Sequence, residues 1–65
     1  MMKTVIRTQT DMVIVFDEND RQIPEYQGRY ADVKTKILRD AVDGTEFKHW
    51  HENSPEPEIV VRNNW

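Results

Sequence analysis

The chain has 65 residues, no cysteine, and twelve acidic against nine basic side chains, for a net charge of −3. That length makes residues 1–65 a single domain, near the lower limit at which a chain folds without staples. The lack of cysteine excludes disulfides, thiolate metal sites and a cysteine nucleophile.

The longest apolar run, Met12 to Phe16, falls far short of the roughly 20 residues of a membrane-spanning helix. No signal-like apolar stretch follows Met1-Met2-Lys3. A cytoplasmic protein with no membrane partner is therefore expected. The bases are scattered through the sequence, and Asp32, Asp40 and Asp43 interrupt the local group Arg29, Lys34, Lys36 and Arg39. Nucleic-acid binding needs a concentrated positive field, so it is disfavoured.

In chain order, "KTVIRT" (3–8) reads as a first strand and Gln9-Thr10-Asp11 as a turn. "MVIVFD" (12–17) is apolar on both faces, as a strand buried on both sides is, which predicts a central place in the sheet. Glu18-Asn19-Asp20 supplies hairpin turn chemistry, since Asn and Asp tolerate a left-handed backbone. "RQI" (21–23) predicts a short third strand, held to an edge or an end by Pro24.

In "GRYADVKTKILRDAVDG", Tyr30, Val33, Ile37, Leu38 and Ala41 recur on one helical face, and Gly44 is the expected stop. A helix of about fourteen residues, roughly 21 Å long, follows. "TEFKHWH" (45–51) and "EIVVR" (58–62) predict the last two strands, joined by the proline-broken loop 52–57. The expected fold is α+β: an antiparallel sheet of four to five strands in ββ(β)αββ order, with one helix on one face.

His49 and His51, two apart on a strand, share a face with Thr45 and Phe47, while Trp50 points the other way. Two imidazoles so placed suit a metal, but a closed site needs a third ligand, and Glu52 and Glu56 show no ligand spacing. The simpler reading is a strand end beside solvent, with no metal and no cofactor. A divalent-metal or small-ligand binder using His49 and His51 is the alternative. The turn around Asp17 and Asn19 fails as a calcium loop, because Arg21 and Gln22 stand where a ligand and a glycine belong. No phosphate loop and no nucleophile with an orienting base is present, so an enzyme is not expected.

One helix covers only one face of a sheet. With Phe47, Ile59 and Val61 inward, the other face carries Trp50 and Val60, joined by either Val13 and Val15 or Met12 and Ile14. Exposed apolar patches of this kind mark interaction surfaces, unless Trp65 and the tail "RNNW" fold back over them. Tyr26, in the shaped loop "IPEYQGRY", is a second candidate contact. The sequence thus points to a protein-interaction module, binding an unknown protein or weakly self-associating. Trp50, Val60 and Tyr26 are its candidate binding residues, and edge-strand pairing is a second route.

Overall fold

A computed structural model describes residues 1–65. The strands are β1 (Met2–Thr8), β2 (Met12–Asp17), β3 (Gly28–Arg29), β4 (Glu46–Trp50) and β5 (Glu58–Val60), with one helix, α1 (Tyr30–Asp40). The α+β class holds, but the sheet is mixed: its order is β3-β2-β1-β4-β5, and β1 and β4 run parallel. Parallel neighbours require a crossover connection, and α1 is the segment that supplies it. The chain leaves β3 at one edge, crosses one face as α1, and returns as β4 on the far side of β1. The middle strand is therefore β1. The expected central strand, β2, lies one place out.

Local chemistry explains the turns. Asp11 (φ 62°) closes the β1–β2 hairpin, its N–H donating to the Thr8 carbonyl at 3.0 Å. At the next turn Asp17 Oδ1 accepts from the N–H groups of Asn19 (2.8 Å) and Arg21 (3.0 Å). This local bonding, that of Arg21 foremost, holds the Asp17 carboxyl below the usual range.

The segment "RQI" makes only an isolated bridge, Phe16 to Gln22, before the single turn of 3-10 helix at Pro24–Tyr26. The true third strand follows at Gly28–Arg29, paired with Met12 and Val13. Gly28 stands at φ 145°, where an L side chain is strained. Its Cβ would meet only Val33 Cγ1 at 3.7 Å, so backbone conformation is what requires glycine there.

Helix α1 spans 11 residues and stops at Asp40, short of Gly44, which instead sits in a turn closed by Thr45 N–H to the Val42 carbonyl. The last carbonyls of a helix lack intrahelical donors. Here Arg62 provides them, donating to the carbonyls of Leu38 (2.8 Å) and Ala41 (2.9 Å). A residue far along the chain thereby fixes the helix end.

The core lies between α1 and one sheet face. Val5, Val13, Val15 and Phe47 from the sheet meet Val33 and Ile37 from the helix, with Met2 and Trp65 at the ends. Trp65 is only 3% exposed. Its ring meets Tyr30 and Phe47 edge-on, each at 5.1 Å between centroids. The tail folds back onto the helix side and leaves the opposite sheet face uncovered.

Candidate interaction face

Strand alternation and register assign the uncovered face residue by residue. Val5 pairs with both Val15 and Phe47, all three buried under the helix. Their neighbours in the strands must therefore point the other way. Ile6, Ile14, Lys48 and Ile59 form one row across four strands. Phe16, Thr4 and Glu46 form the next. Val61, one residue past β5 and still extended, continues that second row, because Val60 aligns with Phe47. Met12 and Trp50 stand at the end of the sheet beyond the first row.

Phe47 is inward and Trp50 outward, in agreement with alternation. The expected placing of β5 is reversed. Val60 aligns with Phe47 and packs against the core, while Ile59 is 70% exposed on the open side. The contiguous aliphatics Ile59-Val60-Val61 carry no alternation of their own, so the sequence offered no phase for this strand. Between the two options for β2, Met12, Ile14 and Phe16 take the open face. Phe16 joins the surface because its phase follows from Ile14, a signal the sequence did contain.

Trp50 is 39% exposed, and its Nε1 donates to the Ser54 carbonyl at 3.2 Å. The indole is thus held by its own loop with one face to solvent, a pre-set aromatic contact. Tyr26 is committed elsewhere: its ring packs against the core, and its hydroxyl donates to Asp40 Oδ2 at 2.7 Å. That bond raises the Tyr26 hydroxyl above its ordinary pKa. Together with the Arg39 guanidinium, the larger cause, it lowers the Asp40 carboxyl to about 2. Tyr26 and Val60 lie apart from Trp50, so the three expected contacts do not converge; on the open side Trp50 stands beside Thr8 at one end of the sheet, beyond the row of Ile14, Ile6, Lys48 and Ile59.

The two histidines share the helix-side phase of β4 and its end, with ring centroids 6.1 Å apart. They border a cleft of about 220 Å³ at the C-terminal ends of the parallel pair β1 and β4, with Arg7, Gln9 and Asp11 on its other walls. Arg7 is bound to Asp11 (2.8 Å) and to the Trp65 carbonyl (3.1 Å), with its guanidinium 3.5 Å from the Tyr30 ring centroid. Burial, then the nearby Arg7 and His51, lower the pKa of His49. Its Nε2 is buried without a partner. No group of three or more His, Cys, Asp or Glu side chains is arranged to hold a metal ion.

No helix is long and apolar enough to cross a membrane. No family model, curated protein or solved structure matches the chain, so a functional reading rests on the geometry of this face.

Proposed function

We propose that the protein is a small, non-enzymatic, cytoplasmic interaction module, and that its working surface is the open face of the sheet. The observation that carries this reading is that no element covers Met12, Trp50 and Ile59, which are exposed, or Ile14 and Phe16, which are half-buried. A sheet with one solvated face normally shows polar residues there, so apolar groups left open on both sides of a charged pair are surface that a partner would cover. Trp50 supplies the aromatic anchor that dominates many interfaces. The charged residues Glu46 and Lys48 break the patch into aliphatic ends and a polar middle, which gives a docking partner register as well as area.

The test is hydroxyl-radical footprinting of the dilute protein in buffer, compared with concentrated protein in buffer and with dilute protein in cell extract. Met12, Phe16 and Trp50 are reactive side chains on the open face, and Met1, Tyr26 and Tyr30 report on other surfaces. Protection confined to the first three in extract supports the reading. Protection confined to the others, or none under either condition, contradicts it.

The unpartnered Nε2 of His49 beside His51 favours a second reading, a divalent-metal or small-ligand site in the cleft at the ends of β1 and β4. Its lowered pKa favours the neutral imidazole, the form that ligates a metal. Stabilisation by zinc would follow the mass-action form RT ln(1 + [L]/Kd). Two histidines without a third ligand bind weakly, so the first reading predicts a nearly unchanged melting temperature at micromolar zinc. A rise of many degrees, lost in His49→Ala, would favour the metal instead.

A further inference from the structure

The open face is self-complementary, and we infer that its partner is a second copy of this chain, docked face to face about a two-fold axis. The inference rests on the reading of that face as the working surface and names its occupant.

The residue pattern carries it. Two adjacent rows run across the open face: Ile14, Ile6, Lys48 and Ile59, then Phe16, Thr4, Glu46 and Val61. A two-fold axis lying in the interface, perpendicular to the strands and midway between these rows, keeps each strand over its own counterpart and exchanges the rows. Ile14 then meets Phe16 of the second copy, Lys48 meets Glu46, and Ile59 meets Val61, while Ile6, already only 7% exposed, lies opposite Thr4. Apolar side chains face apolar side chains at both flanks. The two charges on these rows face their opposites, twice over, because an isologous interface repeats each contact. No other in-plane axis parallel or perpendicular to the strands brings Lys48 and Glu46 together while keeping these flanks aligned. Packed sheets cross at about 30°, so the pairs nearest the axis centre, Lys48 with Glu46 and Ile6 with Thr4, hold their alignment best.

Charge and area agree. The whole chain carries −3, which opposes association of two copies, yet these rows hold one base and one acid and are neutral. At about 4.8 Å between strands and 3.3 Å per residue, the face measures about 20 by 20 Å. That is roughly half the 800 Å² per partner of a standard stable interface. An interface of that size falls in the weak, transient class.

The experiment is sedimentation equilibrium from about 10 µM to about 1 mM, on the parent, Lys48→Glu, Glu46→Lys, and an equimolar mixture of the two variants. Thermal melts confirm that each variant is folded, and Ile59→Glu, on a mostly exposed side chain, is a second disruptor should either charge variant unfold. The parent should shift from monomer to dimer across this range. Each charge reversal places like charges opposite each other twice and should weaken dimerisation at least about tenfold. The mixture should restore it, since every acid of one variant then meets a base of the other. A parent that stays monomeric to 1 mM, or variants that dimerise as the parent does, overturns the inference. Footprinting then separates the two levels: open-face protection in extract alongside a monomeric chain removes only the second copy as occupant, and no protection in extract or in the concentrated protein removes the working surface as well.

Discussion

The two faces of this sheet are built from similar residues and meet different fates. Under the helix, Val5, Val13, Val15 and Phe47 are buried against Val33, Ile37 and Trp65. On the other side, Met12, Ile14, Phe16, Trp50 and Ile59 have no covering element. Each face even has its own tryptophan, Trp65 at 3% exposure and Trp50 at 39%. Apolar character alone therefore does not decide burial in a domain this small; the single helix and the returning tail can cover only one side. The open side is also the less buried one: Met12, Trp50 and Ile59 are exposed there and Ile14 and Phe16 half-buried, although Ile6 on that side is only 7% exposed.

That contrast predicts a graded series of variants. The largest effects belong to the covered face. Phe47→Ala and Trp65→Ala should each lower unfolding free energy by about 3–5 kcal/mol in denaturant titration, and Ile37→Ala by about 2–5 kcal/mol. Losses of that size approach the whole stability of a small domain, so these variants should be largely unfolded at room temperature. A parent-like midpoint for Trp65→Ala would break the comparison, because the tail would not then be part of the core.

Open-face substitutions should be mild in dilute solution. Ile59→Ser should change stability by no more than about 0.5 kcal/mol, as surface changes do. Trp50→Ser should cost about 1 kcal/mol, because the bond from Nε1 to the Ser54 carbonyl goes with it. A loss of several kcal/mol at either position would mean that the open face is structural.

Smaller still are the pH effects, and both concern the helix side. His49 has a folded-state pKa below the ordinary 6.5, from burial and the nearby Arg7. Its contribution to stability is therefore present above pH 6.5 and lost as the pH falls through the folded value. His49→Gln should flatten the decline of the melting temperature on the acid side of neutrality. Asp40, lowered from 3.8 to about 2, contributes stability that disappears between those two values as acid is added. The group lies at the surface, so the effect is slight; Tyr26→Phe should reduce it and leave the Arg39 part.

Much of this architecture is legible in the sequence because its signals are local. The first strand at "KTVIRT", the helical spacing from Tyr30 to Ile37, and the opposition of Phe47 and Trp50 along one strand all survive in the fold. What was hidden depends on distant partners. The parallel pairing of β1 with β4 leaves no mark in either strand, since it follows from where α1 lands. Val60 and Ile59 exchanged faces because consecutive aliphatics have no phase until Val60 is set beside Phe47. Gly28-Arg29 reads as the approach to a helix and pairs as an edge strand because Gly28 accepts φ 145°. Trp65 stands in a polar tail without periodicity, and only the gap between Tyr30 and Phe47 gives it a place. Tyr26 looked free because its partner, Asp40, lies a helix away.

The central claim, that one apolar face is covered and the other is not, has a direct optical test in the two tryptophans. Trp50→Phe leaves Trp65 as the only indole, and Trp65→Phe leaves Trp50. In dilute solution, acrylamide should quench Trp65 emission poorly and Trp50 emission strongly, with the Trp65 maximum at the shorter wavelength. Folded variants with equal quenching constants, or with Trp50 the better protected, would contradict the account.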